Sequence, residues 1–202
     1  MIKHTKTLKV RIRDKHRPLL NSMARSVNFV WNFVNELSQR SIKERGVFLS
    51  AYDVQRYTNG AGKDLGLHSQ TVQRIAVEYV TRRKQFNKAR LNWRKSGGVR
   101  RSLGWIPVNT AAAQWKNGQV YHNGHYFNVW DSFGLSQYKF RSASFNEDAR
   151  GRWYFNVKQC WTISALTQAL FLRKSTRHTP PKPVRVVAVC PNRGREVSQG
   201  LE

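Results

Sequence analysis

Residues 5–13, "TKTLKVRIR", alternate between apolar and basic positions: Leu8, Val10 and Ile12 on one face, Lys9, Arg11 and Arg13 on the other. A period of two with a basic outer row predicts a half-buried strand. The period then changes. From Pro18 onward, Leu20, Met23, Ala24, Val27, Val30, Trp31, Val34 and Leu37 recur at helical spacing. Proline suits the first turn of a helix, where its missing N–H costs nothing. The pattern predicts a helix to about Arg45, stopped by Gly46, with Trp31 on its core face.

Ser50 followed by Asp53 resembles a weak capping box and predicts a short helix ending near Asn59-Gly60. After a glycine-bearing loop, Ser69 reads as the cap of a long helix from Gln70 to about Lys95. Its apolar stripe is Val72, Ile75, Ala76, Tyr79, Val80 and Phe86. The C-terminal half of that helix carries Arg82, Arg83, Lys84, Lys88, Arg90, Arg94 and Lys95. Cations are favourable at a helix C-terminus, but this density exceeds that need. "SGG" at 96–98 reads as a hinge.

From Arg100 the period of two returns. Asn117-Gly118 and Asn123-Gly124 are strong hairpin signals and separate "AAQWK", "QVYH" and "HYFNVW". Further strands are expected at 138–145 and 152–159, joined by a turn within Asn146–Gly151. Trp153, Phe155 and Val157 alternate with Tyr154, Asn156 and Lys158, which places the first set in a core. Short antiparallel strands at regular spacing suggest a small barrel, with 5–13 as one of its strands and the helices inserted. After Gln159 the pattern fades. "LTQALFLRK" could form a short helix, and the proline-bearing remainder predicts a poorly ordered tail. The expected fold class is therefore α+β.

Charge changes the picture. The 202 residues carry 36 Lys and Arg against 11 Asp and Glu, a net charge of +25. Such an excess argues for a polyanionic partner. There is no apolar run of the ~18 residues a membrane span requires, nor a signal-peptide pattern. A cytoplasmic, nucleoid-associated protein with no membrane partner is expected.

Candidate chemistry is sparse. The six His are scattered, and Cys160 and Cys190 form no CxxC pair, so two free thiols are expected and no metal or other cofactor. "GAGKDLG" lacks the spacing of a phosphate loop. No nucleophile-elbow motif supports a Ser–His–Asp arrangement, and no small-molecule substrate is indicated. After Asp148 the only acidic residues are Glu196 and Glu202. What remains is a basic, aromatic-rich surface. Lys and Arg neutralise phosphates, Gln, Asn, Ser and Arg read base edges, and aromatics stack unpaired bases.

Six segments, in order, resemble the amino-terminal half of OrfB/TnpB proteins of bacterial insertion sequences. They are "KTLKVRIRD", "SVNFVWNFVNELSQRS", "LHSQTVQRIAVEYVTRRKQF", "RSLGWIPV", "YHNGHYFNVWDS" and "SFNEDARGRWYFNV", together spanning about residues 3–159. The resemblance implies an oligonucleotide-binding-like antiparallel β-barrel, the "wedge", with an inserted helical recognition lobe. Residues 1–14 would be the first wedge strand, 15–98 the helix-turn-helix-like lobe, 99–160 the remaining barrel and 161–202 a divergent tail. It also implies a guide RNA and double-stranded DNA as partners, with a short motif beside the DNA target read by protein and the rest by base pairing.

Carried onto this chain, the motif-reading candidates are Tyr52, Gln55, Ser69, Gln73, Gly104 and Trp105. Phosphate contacts fall to Lys9, Arg11, Arg13, Arg82, Arg83, Lys84, Lys88, Arg90, Arg94, Lys95, Arg100 and Arg101. In the family the "RWY" strand leads into a RuvC-like nuclease whose first Asp lies in a G-[IV]-D-x-G strand, followed by a four-cysteine zinc ribbon. Neither feature is present here. Two-metal cleavage needs clustered carboxylates, so no nuclease activity is expected from this chain alone and no catalytic residue is assigned. The change of character after residue 160 fits a frameshift or early stop in an insertion-sequence gene. Two other readings stay open: a free-standing repressor-like DNA-binding module, and a decayed product without function.

Overall fold

A computed structural model describes residues 3–109, 112–131, 134–137, 140 and 142–162. The chain opens with β1 (Lys3–Ile12), whose Leu8, Val10 and Ile12 are buried as their alternation requires. One 3-10 turn leads into α1 (Arg17–Arg45), which has proline in its first turn. Gly46 ends α1 in the left-handed conformation (φ 65°), and its N–H is donated to Ile42 O. Leu20, Val27 and Val34 are fully buried along one stripe. Each contributes about 1.5–3 kcal/mol relative to exposure.

Three shorter helices follow: α2 (Ala51–Tyr57), α3 (Ala61–Asp64) and α4 (Ser69–Gln85). The Ser50–Asp53 capping box is complete: Ser50 Oγ accepts from Asp53 N, and the Asp53 carboxylate accepts from Ser50 N at 2.9 Å. The loop expected before residue 69 contains the single turn α3. The cap of α4 is His68, not Ser69: His68 Nδ1 accepts from Gln70 N at 3.2 Å.

The largest departure from expectation is the length of α4. It ends at Gln85, ten residues before Lys95, and Asn87 turns the chain with φ 48°. The segment from Leu91 to Ser96 is instead laid along α1 by side chains of that helix. Asn35 brackets Leu91, Asn32 brackets Arg94, Trp31 Nε1 donates to Asn92 O, and Asn28 Nδ2 donates to Ser96 Oγ. The carboxamides supply backbone partners that a helix would have supplied internally. Period and charge could not reveal this competition, because the partners lie more than fifty residues away.

The remaining strands are β2 (Trp105–Asn109), β3 (Ala113–Lys116), β4 (Gln119–His122), β5 (His125–Phe127), β6 (Val129–Trp130), β7 (Ser142–Glu147) and β8 (Trp153–Thr162). Both Asn-Gly turns have positive φ at both central residues, the type I′ pattern. They fold β3–β4–β5 into a three-stranded meander. The other sheet has the order β2-β7-β8-β1-β6, antiparallel throughout. Its central pair joins the start of the chain to β8, with Val10 opposite Phe155 and Arg11 opposite Tyr154. The two sheets meet through Phe127, Phe145, Phe155 and His122.

The structure is thus mixed helix and antiparallel sheet, as expected, but no sheet among the described residues closes into a barrel. The meander forms a separate layer, and β6 is only two residues long at one edge. β8 runs two residues past the expected barrel limit, to Thr162. The rest of the expected tail, 163–202, lies outside the described residues. No helix among the described residues is long and apolar enough to cross a membrane.

Candidate nucleic-acid interface

Four of the six residues expected to read a DNA motif line one groove. Tyr52 and Gln55 come from α2, Ser69 and Gln73 from the first turns of α4, and they border a cavity of about 870 Å³. The local sequence explains the convergence. The capping box fixes the start of α2, and Val54 anchors its other face with no exposure. Tyr52 is left 74% exposed. Gly62 lets the chain fold back tightly: a Cβ there would lie 2.8 Å from Leu67 O, whose own N–H is donated to Gly62 O. The fold-back delivers His68 as the cap of α4, so Ser69 and Gln73, one turn apart, present exposed side chains.

Sequence reasoning missed several groove residues. Arg56 and Lys63 give it cationic walls, and Asn123 reaches it from the β4–β5 turn, donating from Nδ2 to Gly66 O at 2.8 Å. The spacing of Arg56 beside Gln55 offered a signal. Nothing local could have placed Asn123 there, since its partner is fifty-seven positions away. A groove with amide, hydroxyl and aromatic groups between cations can accept a polyanion and hydrogen-bond base edges.

Gly104 and Trp105 do not join this groove. Gly104 is buried, its N–H is donated to Glu147 Oε2 at 2.9 Å, and a Cβ there would overlap the Trp153 indole. Trp105 packs edge-on against Trp31, with Arg82 and Arg94 near its ring. Both hold the sheet against the helices.

Nine of the twelve expected phosphate contacts fall into two groups. Lys84, Lys88, Arg90, Lys95 and Arg100 are exposed beyond or along the end of α4. Arg82 is exposed and paired with Glu78 at 3.0 Å. On the sheet, Lys9 lies 4.2 Å over the Tyr154 ring, Arg13 lies 4.8 Å over Trp130, and Arg11 pairs with Asp14 at 3.0 Å.

Three others are bonded to groups of the fold itself. Arg83 is 3% exposed and donates to Ser38 Oγ at 2.7 Å and Leu49 O at 2.8 Å. Burial lowers its pKa, opposed by Tyr79. Arg94 donates to Asn28 Oδ1 and Leu103 O, both at 2.6 Å. Arg101 meets Glu147 through two bonds of 2.7 Å. Arg83 is enclosed by the fold, Arg94 is held against α1, and Arg101, although exposed, is committed to Glu147.

Among the described residues, no three His, Cys, Asp or Glu side chains come together in an arrangement that could hold a metal ion. No protein-family model and no curated protein matches the chain.

Proposed function

We propose that this chain is a TnpB-like nucleic-acid-binding protein that holds a guide RNA and target-adjacent duplex DNA in the service of transposition, without its own nuclease centre. The observation that carries the reading is the convergence of Tyr52, Gln55, Ser69 and Gln73 on one groove walled by Arg56 and Lys63. The resemblance alone points to those four, which lie on two helices on either side of the single turn α3. The net charge of +25 supplies the electrostatic attraction. Gln73, one turn into α4, suits bidentate pairing with an adenine edge. The antiparallel strands take the part of the wedge, and an oligonucleotide-binding-like barrel belongs to the same proposal.

The test is selection from a pool of duplexes with a short randomised stretch beside a fixed target, using protein purified with its RNA. Recovery of one short motif, lost at one position in Gln73→Ala, supports the reading. Recovery of no motif refutes base reading by the groove.

A further inference from the structure

The outer face of the five-stranded sheet carries a second concentration of nucleic-acid chemistry, away from the α2–α4 groove. The strand register sets it out in rows. Trp130, Arg11, Tyr154, Asn146 and Trp105 lie side by side across β6, β1, β8, β7 and β2. Below them run Lys9, Asn156, Ser144 and Pro107, then Thr7, Lys158, Ser142 and Asn109. The opposite face of the same strands holds Val10, Phe155, Phe145 and Ile106 in the core. A sheet can leave one face solvated, but a solvated face needs neither aromatics nor unpaired polar atoms.

This face has both. Trp130 is 59% exposed at the β6 edge, with the Arg13 guanidinium over its ring. Tyr154 lies at the centre, with Lys9 Nζ on its face and Arg152 nearby. Two side-chain atoms here are shielded yet lack a partner: Arg11 Nε, a donor, and Asn156 Oδ1, an acceptor. Asn156 spends its NH₂ on Asn146 Oδ1, which also accepts from Ser144 Oγ. The acceptor lies in a cleft of about 240 Å³ between the sheet and α4, bordered by Trp105, Ser144, Lys158 and Arg74. Of the carboxylates at this face, Asp14 is ion-paired with Arg11, Glu78 with Arg74 and Arg82, and Asp148 with Arg152, and Asp148 also accepts from the Tyr154 hydroxyl at 3.4 Å. Lys9, Arg13 and Lys158 supply the cationic charge.

We infer that this sheet face is a stacking platform for single-stranded nucleic acid. Bases lie on Tyr154 and Trp130, the strand's phosphates draw Lys9 and Arg13 off the rings, and Lys158 holds the backbone as it enters the cleft. A duplex has no unstacked base to give these rings, so the face selects single strands. The inference rests on the reading that the chain binds nucleic acid, but it uses a different surface.

The test is photo-crosslinking of the full chain to a short oligouridylate carrying iodouridine, mapped by mass spectrometry, beside binding titrations with the same strand and with a duplex. Crosslinks at Tyr154 or Trp130 are expected. Trp130→Ala should weaken single-strand binding by about tenfold or more and leave duplex binding unchanged. Gln73→Ala should do the reverse. Crosslinks confined to the α2–α4 groove, with duplex binding intact, overturn the platform and leave the groove reading standing. Binding to neither probe overturns both.

Discussion

The side-chain amide of Asn35 brackets the backbone of Leu91, donating to its carbonyl at 2.7 Å and accepting from its N–H at 3.2 Å. The same Oδ1 accepts from the Tyr79 hydroxyl at 2.9 Å. One fully buried residue of α1 therefore joins the long connecting segment to α4. Asn35→Ala strands a buried N–H, a carbonyl and a phenol. Such groups cost about 1–3 kcal/mol each when unsatisfied, and partial relaxation leaves an expected loss of roughly 3 kcal/mol. Urea denaturation measures it; a loss below about 1 kcal/mol would show that water replaces the bracket.

Gly104 has room for hydrogen alone. A methyl group there would overlap the indole of Trp153, which is 2% exposed and fixed by its Nε1–H bond to Asn21 Oδ1 at 3.1 Å. Gly104→Ala should destabilise by about 1–3 kcal/mol through overpacking, and near-ultraviolet circular dichroism should report the displaced Trp153. An unchanged spectrum and midpoint would place the substitution in a site that yields freely.

Adjacent cations in α4 should behave oppositely. Arg83 is enclosed, so Arg83→Ala is expected to cost about 3 kcal/mol of stability by removing two charge-assisted bonds. Lys84 is exposed. Lys84→Ala should leave stability within about 0.5 kcal/mol and lower the salt dependence of nucleic-acid binding by about one phosphate contact. Paired denaturation and salt titrations check both. A reduced salt slope in a stably folded Arg83→Ala protein would contradict the assignment.

Two buried groups tie stability to pH in the same direction. Burial holds the His122 imidazole down at about 4, against its ordinary 6.5, although its Nδ1 bonds Ala112 O at 2.7 Å. Below 6.5 the unfolded chain takes a proton that the folded chain refuses until about 4, so stability falls as pH drops through that window. The Arg101 hydrogen bonds hold Glu147 below its ordinary value against the cost of burial, with help from Gly104 N–H. Its contribution is present above the unfolded value and is lost as pH falls through the folded one. Denaturation midpoints should therefore decline on acidification from neutrality. His122→Asn should flatten the upper part of that decline, and Glu147→Gln only the lower part. A decline unchanged by either substitution would assign it to other groups.

The sequence displayed the elements governed by local chemistry. Pro18 and Gly46 mark the bounds of α1, Ser50 and Asp53 start α2, and two Asn-Gly pairs turn the meander. It did not display partners chosen at a distance. Asn28, Asn32 and Asn35 recur at helical spacing along the face of α1 that carries Trp31, and that polar run was the available sign that α1 holds an extended segment. The charge run at 82–95 read as one helix because clustered cations look alike on a helix and on a loop, while Arg83 and Arg94 turn inward for reasons set by Ser38 and Asn28. The groove was legible only through the resemblance. Of its six imported residues, Gly104 and Trp105 followed β2 into the packing between sheet and helices.

The central claim is that the chain holds a specific guide RNA. The direct measurement is purification from cells expressing the native locus, with high-salt washes, and sequencing of the RNA that remains. One discrete RNA is predicted, matching the end of the insertion sequence that the proposed TnpB-like function implies. Heterogeneous RNA, released progressively as salt rises, would contradict the claim and leave a polycation that binds phosphates without distinction.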